Sequence, residues 1–473
     1  MLRQVQYNAG MNFLTTHWIA AALNQKPEGA SKPLTLLSSD TRELKPGSVF
    51  VALKGETSDG HDHVEKAKAA GAIALVHRKD FKCPEGMISF PADDTLQAFR
   101  QIAGAWRREF TLPVIAIGGS AGKTTSKELL AALFRGKFKN VLQTLASQNG
   151  FQGVPTTLLR LRPEHDAAVI EVGIDEPGSM IQHLELVAPD AGLLTSIGPE
   201  HLEKLIDEDN VEKEEGILFQ VLSKRAGLAA VNLDDPRIAR QASEQLPDNL
   251  KLTYSLKSKS NVRAKLLTEG EELFIDVDGL STKKTERFAV PLEGAHNALN
   301  LLGAIALAHG LGLSVEEMRK GLTTFTPPPG RSEVHQWRGC KVLADTYNAN
   351  PASVTAALET LFTGKSAGDT WVCLGDMLEL GKFEEKMHRG LAEPILQHGV
   401  RHVFLFGPRM KMLEHELRKR SFSGSLHHYA SQEKLADDLR AQAKAGDRIL
   451  IKGSRGMKME NVWKALQTSV QAQ

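Results

Sequence analysis

Cysteine is scarce: the 473 residues hold three, Cys83, Cys340 and Cys373, scattered and odd in number. Such a set excludes a disulfide framework and a cysteine-rich metal knuckle, and it fits a reducing cytoplasm. Neither sign of charge is in excess, since 58 Lys and Arg face 57 Asp and Glu, a formal net charge of +1. That balance argues against a nucleic-acid binder working by bulk charge and leaves room for a local basic site. Long hydrophobic runs are missing too. A spanning helix needs about 18 consecutive apolar residues, and the best stretch, 299–313, is interrupted by Asn300 and His309. No membrane insertion is expected. The N-terminus shows no basic segment followed by an apolar core, so no secretory signal is expected, and Met1 and Met11 both stand open as the start of translation. What is present is globular in character, with 41% hydrophobic and 24% charged residues. At about 150 residues per domain the length suggests about three domains.

The pattern along the chain is α/β. Short strands are expected at Val49–Leu53 and Ala72–Val76, with helices at His63–Ala70 and Thr95–Phe110. Pro113 then punctuates the chain and sets a first boundary. Val114-Ile115-Ala116-Ile117 is a continuous apolar run, as in a strand buried on both faces of a parallel sheet. Similar runs at Ala168–Ile170, Leu193–Thr195 and Leu228–Val231 alternate with helical patterns, which implies right-handed crossovers and a mostly parallel sheet. Between 250 and 292, turn signals at Glu269-Gly270 and Asp278-Gly279 separate alternating apolar and polar residues, the mark of an antiparallel hairpin region. Helices return at His296–His309 and Val315–Leu322. The proline run Pro327-Pro328-Pro329 is stiff and extended and marks a linker. Beyond it, strands at Lys341–Ala344, Trp371–Leu374, Val403–Phe406 and Arg448–Ile451 form a second, smaller α/β unit. The expected division is 1–112, 113–326 and 327–473.

The strongest chemical signal is Gly118-Gly119-Ser120-Ala121-Gly122-Lys123-Thr124-Thr125, placed between a buried strand and a helix expected over Ser126–Phe134. Backbone N–H groups at such a helix start point toward an anion, and the helix dipole favours negative charge. Glycines let the main chain close on phosphate oxygens, Lys123 would reach the outer phosphates and the Thr124 hydroxyl would sit on Mg²⁺. Ile117 stands where the longer loop pattern has its first glycine, so this is a shorter variant, Gly119-x-x-Gly122-Lys123-Thr124. Glu171 ends the strand Ala168–Ile170, at the carboxyl edge where ligands gather in open α/β sheets; a metal ligand and an exposed strand-end carboxylate are both open readings. His201 and Lys213, taken singly, read as surface residues.

Together with Ile170-Glu171-Val172-Gly173, Gly198-Pro199-Glu200-His201-Leu202 and Gly294-Ala295-His296-Asn297-Ala298-Leu299-Asn300, the loop resembles the ATP-dependent Mur ligases of bacterial cell-wall synthesis. Asp345-Thr346-Tyr347-Asn348-Ala349-Asn350-Pro351, Leu374–Gly381 and Lys452–Met457 resemble the member that adds D-alanyl-D-alanine. Asp40-Thr41-Arg42, Ala52–Gly55 and Asp59-Gly60-His61 resemble its nucleotide-sugar domain. The resemblance runs from about residue 38 to 460.

It implies three α/β domains: one gripping the UDP end of a substrate, a central P-loop ATPase with a mostly parallel sheet, and a C-terminal Rossmann-like domain. It also implies a cytoplasmic ligase joining D-alanyl-D-alanine to UDP-N-acetylmuramoyl-tripeptide through an acyl phosphate, with ATP and Mg²⁺ as cofactors and a monomeric state.

Residue by residue, it implies an ATP cradle of Gly119, Ser120, Ala121, Gly122, Lys123, Thr124 and Thr125, with Asn297 and Asn300 on the adenine side. Arg331 would reach the phosphates, and Asp345 would line the same cleft. Thr124, Glu171 and His201 would hold metal, and Lys213 matches a lysine that some members carry as a carbamate. Asp40, Thr41, Arg42, Asn149, Tyr347, Asn348, Asn350, Lys452 and Arg455 would contact substrates. Bland readings stand beside these: a turn at Asp40–Arg42, a helix start at Asn350, and solvated cations at Lys452 and Arg455. Two departures are visible. Asn149 is followed by Gly150 where the family pairs asparagines, and Glu212-Lys213-Glu214-Glu215-Gly216 replaces the common Ala-Lys-Gly-Glu. The alternatives are another Mur-type or folylpolyglutamate-type amide ligase and, from a different class, a P-loop nucleotide switch.

Overall fold

The computed structural model describes residues 14–55, 58–281, 284–363 and 368–468; Met1 and Met11 fall outside them. The chain packs as two compact units. One comprises 1–116, 139–172 and 181–189, the other 117–138, 173–180 and 190–473. Its secondary structure is mixed α/β, arranged on three sheets.

The first sheet has four strands, β1 (Leu37–Ser38), β2 (Ser48–Val51), β3 (Ala72–Arg78) and β4 (Ile88–Ala92), paired parallel in that order. Phe50, Ala52, Val64, Ala67 and Leu75 make its core. The helix Thr95–Arg108 begins at Asp94, whose carboxylate accepts from Leu96 N at 2.7 Å and Gln97 N at 3.1 Å, satisfying two of the N–H groups a helix start leaves open.

The second sheet is built from β5 (Val114–Gly118), β6 (Val141–Gln143), β7 (Ala167–Glu171), β8 (Ala191–Leu194), β9 (Leu228–Asn232), β10 (Lys251–Ser255), β11 (Val262–Glu269), β12 (Glu272–Asp278) and β13 (Glu286–Ala289), in the order β13-β12-β11-β10-β9-β8-β5-β7-β6. Val114, Ile115, Ala116 and Ile117 are each 0% exposed, as the unbroken apolar run requires. Burying a Val or Ile side chain contributes about 1.5–3 kcal/mol, so this strand is a main anchor of the fold. β11 and β12 form the expected antiparallel hairpin, closing at Glu269↔Glu272, and β12 and β13 are antiparallel as well. β10 departs from the hairpin reading, because it pairs parallel with both β9 and β11. Crossover geometry therefore continues one strand further than the local turn signals indicate.

The third sheet contains β14 (Glu333–Trp337), β15 (Cys340–Asp345), β16 (Thr370–Gly375), β17 (His402–Phe406), β18 (Ser425–Tyr429) and β19 (Arg448–Lys452), in the order β14-β15-β19-β16-β17-β18. Only β14 is antiparallel to its neighbour. Alternation decides the two cores: Leu343, Val372 and Leu450 face one, whereas Val342, Trp371 and Ile449 face the other. The register sets Asp345 beside Lys452 at the carboxyl edge.

Five helices position the site: α1 (Lys123–Arg135), α2 (Glu208–Arg225), α3 (Pro236–Gln245), α4 (Ala295–Gly310) and α5 (Pro351–Leu361). Among the described residues no helix is long and apolar enough to cross a membrane.

Candidate active site

The loop after β5 turns on two glycines in the left-handed region, Gly119 (φ +113°) and Gly122 (φ +87°). Any side chain at Gly119 would collide, since a Cβ there would lie 2.3 Å from Thr195 Oγ1 and 2.8 Å from Thr195 N. The helix starts at Lys123, three residues before the expected Ser126, with Gly122 as its cap residue and no side-chain cap. Lys123, Thr124 and Thr125 thus form the first turn, the turn whose N–H groups have no partner within the helix. This is the arrangement that binds phosphate.

A second segment, following β8, holds the loop in shape. Ser120 N donates to Ser196 O at 2.7 Å, Ala121 N donates to Ser196 Oγ at 3.1 Å, and Thr195 Oγ1 donates to Ala121 O at 2.5 Å. The Ser120 hydroxyl donates to Gly198 O and accepts from Gly198 N, both at 3.0 Å. That segment is anchored in turn by Asp235 Oδ2 on Ile197 N at 2.8 Å and by Asn232 on Thr195 O at 3.1 Å. The cradle is therefore rigid by its own hydrogen bonds.

Charge converges on it. Lys123 Nζ donates to Glu200 Oε2 at 3.1 Å, with the two side chains 13% and 9% exposed. Glu215 on α2 is fully buried, and its Oε2 accepts from Gly119 N at 2.8 Å. The Oε1 atoms of both Glu215 and Glu200 are buried with no hydrogen-bond partner. Burial and the nearby Glu200 charge push the Glu215 carboxyl upward, against the opposing pull of Lys123. An anionic carboxylate in that position calls for a cation.

His201 has backbone φ +48°, a strained conformation for a non-glycine residue. Its Nδ1 lies 2.7 Å from Glu379 Oε2. Burial lowers its proton affinity, but the Glu379 hydrogen bond and the Glu200 charge outweigh that and leave it raised. Gly381 closes against the same segment, where an added Cβ would sit 3.2 Å from Glu203 Cα. Any cation that His201 holds would therefore be taken through Nε2, with Glu379 fixing the ring.

Asn297 is placed by α4. It lies inside the first turn of α4, is 2% exposed, and donates to Glu293 O at 2.7 Å. Asn300 Nδ2 is 3.4 Å from Asn297 Oδ1, and a Cβ at Gly122 would lie 2.7 Å from Asn300 Oδ1. The pair thus stands directly behind the phosphate loop.

At the carboxyl edge of the third sheet, Lys452 is 2% exposed and ion-paired with Asp345, so the solvated reading of Lys452 does not hold. Lys452 Nζ also donates to Asn348 O at 2.9 Å, and Asp345 Oδ1 accepts from Ser332 N at 3.1 Å. The Tyr347 ring receives two guanidinium groups, Arg331 at 4.1 Å and Arg455 at 5.5 Å from its centroid. Arg455 is 63% exposed and reaches Glu460 at 3.1 Å. Asn350 starts α5, accepting from Ser353 N at 2.8 Å with Pro351 at the first helical position, so its side chain is committed to the cap.

In the other unit, Glu171 ends β7 at 1% exposure and its Oε1 accepts from Asn149 Nδ2 at 2.7 Å. The exposed-carboxylate reading of Glu171 therefore fails. Asp40 and Arg42 form a local turn, with Arg42 N and Nε both 2.9 Å from Asp40 Oδ1, while Arg42 itself is 82% exposed and Thr41 is half-buried beside it. Lys213 is solvent-exposed on α2, on a different face from the buried Glu215. Sequence reasoning passed over Glu215. The helical spacing Val211, Glu215, Leu218, Phe219, Leu222 carries the signal, because it sets Glu215 on the buried stripe and Lys213 off it.

A mostly parallel sheet, a glycine loop leading into Lys-Thr at a helix start, and a buried acidic group beside it define a nucleotide-binding P-loop protein. Comparison with known proteins narrows this. Residues 33–104 match the Mur ligase family, catalytic domain; residues 117–308 match the Mur ligase middle domain; residues 330–455 match the Mur ligase, glutamate ligase domain. The UDP-N-acetylmuramoyl-tripeptide–D-alanyl-D-alanine ligase of Synechocystis is 33% identical, with 89% of each chain covered. The ligase of the same name from Escherichia coli is 32% identical, covering 96% of this chain and 98% of that one. A crystal structure of MurF from Acinetobacter baumannii superposes with a TM-score of 0.83 at 25% identity, covering 96% and 98%. A MurF ligase from Thermotoga maritima in complex with ADP shares the fold, with a TM-score of 0.80 at 23% identity over 92% of this chain and 98% of that one. The chain belongs to the Mur ligase family.

Proposed function

We propose that this chain joins D-alanyl-D-alanine to UDP-N-acetylmuramoyl-tripeptide, consuming ATP and giving the UDP-N-acetylmuramoyl-pentapeptide precursor of peptidoglycan. The observation that carries this reading is the rigid cradle Gly119–Thr125 in a chain whose relatives over 89–96% of its length bear that ligase name.

A carboxylate is a poor electrophile, so its oxygen must first become a leaving group. The tripeptide carboxylate attacks the γ-phosphorus of ATP, forming an acyl phosphate and ADP. The dipeptide amine then attacks the acyl carbon to give a tetrahedral intermediate, which loses the amine proton to solvent and expels phosphate to leave the amide. The first step brings two anions together, and Lys123 supplies positive charge where they meet. The N–H groups of the first turn of α1 hold the phosphates in line. Asn297 and Asn300, behind the loop, are the proposed adenine contacts, and the Arg331–Tyr347–Arg455 stack offers cationic groups for anionic substrate.

Mg²⁺ fits this donor set. Thr124 lies in the first turn of α1, and buried carboxylate oxygens without partners flank Lys123. When bound, Mg²⁺ would neutralise phosphate charge. Among the described residues no three His, Cys, Asp or Glu side chains gather as a cation cage. Magnesium commonly uses only one or two carboxylates beside substrate phosphates. Residues 1–112 are proposed to hold the UDP end of the substrate, 113–326 the ATP and 327–473 the incoming dipeptide; a monomer and a cytoplasmic location complete the reading.

The test is product analysis by mass spectrometry with UDP-tripeptide, ATP, Mg²⁺ and a panel of dipeptides. A product heavier than UDP-tripeptide by D-alanyl-D-alanine less water is expected. Nucleotide turnover indifferent to both peptides would instead indicate a nucleotide switch.

A further inference from the structure

The acidic group at the phosphate loop is not where the family resemblance sets it. Lys213, matched to a lysine carried as a carbamate in some members, is exposed on α2. Two positions on, Glu215 is 0% exposed, and its carboxylate touches the main chain of the loop at Gly119 N, 2.8 Å away. A carbamate converts a cation into an anionic ligand, whereas a glutamate carries that charge without modification.

We propose that Glu215, with Glu200 beside it, is the protein's anionic ligand for the divalent cation of the nucleotide, and that this chain needs no carbamylated lysine there. The inference rests on the proposed use of ATP with Mg²⁺.

Three observations converge. Each carboxylate has one oxygen committed and one buried without a partner: Glu215 gives Oε2 to Gly119 N, and Glu200 gives Oε2 to Lys123. Both committed contacts are to the phosphate loop itself, so the remaining oxygens lie beside the site where phosphates would be held. The backbone at Gly118 has no room for a side chain, since a Cβ there would come within 2.8 Å of Glu215 Oε2. The glycine at that position thus admits the carboxylate. Burying a carboxylate oxygen without a partner is costly, and a divalent cation is the group that offsets it. Two carboxylates, a threonine hydroxyl, phosphate oxygens and water are donors of the kind Mg²⁺ would take.

The experiment uses the full chain with the non-hydrolysable analogue AMPPNP and Mn²⁺ as the cation probe, without peptide substrates. Free Mn²⁺ is read by its electron paramagnetic resonance signal. Glu215→Gln keeps the acceptor for Gly119 N and removes the charge. Its Mn²⁺ affinity in the nucleotide complex should fall at least fivefold, while wild-type affinity should be the same in decarbonated and bicarbonate-containing buffer. A fall of less than fivefold overturns the proposal, and so does a wild-type affinity that drops when carbon dioxide is stripped, since that is the signature of a carbamate. If Glu215→Gln shows no cooperative thermal transition, Glu200→Gln is held to the same fivefold threshold. Normal Mn²⁺ binding in a protein that makes no peptide-extended product would strike the proposed reaction and leave this assignment standing.

Discussion

Lys452, at the end of β19, is ion-paired with Asp345, at the end of the neighbouring β15, and the same ammonium group donates to Asn348 O at 2.9 Å. One buried cation thus ties together two strand ends and the loop that carries Tyr347. Asp345→Ala would strand Lys452 at 2% exposure with a backbone carbonyl as its remaining partner. Removing one member of a buried pair typically costs about 3–5 kcal/mol. We expect the thermal midpoint to fall by several degrees and the KM for peptide substrates to rise, read by calorimetry and steady-state kinetics. An unchanged KM with a lowered midpoint would confine the pair to a purely structural role.

Lys123→Ala should lower ligation at least about a thousandfold, because the lysine supplies charge where two anions meet. It should also cost some stability, since Glu200 loses the cation 3.1 Å away. The double variant Lys123→Ala/Glu200→Gln should recover the thermal midpoint and none of the turnover. Recovery of both would remove Lys123 from the chemistry.

Gly119→Ala tests the shape of the cradle. Its Cβ would meet Thr195 Oγ1 at 2.3 Å in a backbone held at φ +113°. The strain is on the order of 1–3 kcal/mol, and relieving it moves the N–H groups that cradle phosphate. Nucleotide affinity by calorimetric titration should weaken at least about tenfold. Wild-type affinity would refute the rigid-cradle account.

Glu212, on α2, accepts from Arg237 at 2.8 Å and from Gln241 at 3.0 Å and pairs with Arg240, all on α3. Burial raises its proton affinity, but these hydrogen bonds outweigh burial and hold the carboxyl at about 2, below its ordinary 4.5. A depressed folded value means that the stabilisation is fully present above 4.5 and is lost as pH falls toward 2. The contribution is on the order of 2 kcal/mol, because the partner arginines are partly solvated. Glu212→Gln should lower the thermal midpoint at pH 7, with the gap to wild type closing between pH 4.5 and 2. A gap independent of pH would point to lost packing.

The parts of the molecule that could be read from sequence were those whose physics is local. Val114–Ile117 announces a doubly buried strand by composition alone, and the glycines and Lys123 after it mark the loop. The extent of α1 was less legible, since Lys123–Thr125 enter the helix without a side-chain cap to mark its start. The edge strands β14 and β18 did not stand out, because Ser425–Tyr429 mixes polar and aromatic residues on a half-solvated edge. Contacts across long separations were invisible: Lys452 and Asp345 are 107 residues apart and meet only through the β15–β19 register. Asn350 shows the reverse, since its cap with Ser353 follows from Asn-Pro alone.

Helix α2 carries, within a single turn, three carboxylates with separate duties. Glu212 fastens α3, Glu214 accepts from Gly178 N at 3.0 Å and Met180 N at 2.8 Å, and Glu215 meets the loop at Gly119. Saturation mutagenesis of this stretch would therefore return intolerance at Glu212, Glu214 and Glu215 for three unrelated reasons, and tolerance at the exposed Lys213 between them. Selection for turnover alone cannot separate them, because compensation at one carboxylate leaves the other two still demanding an intact helix.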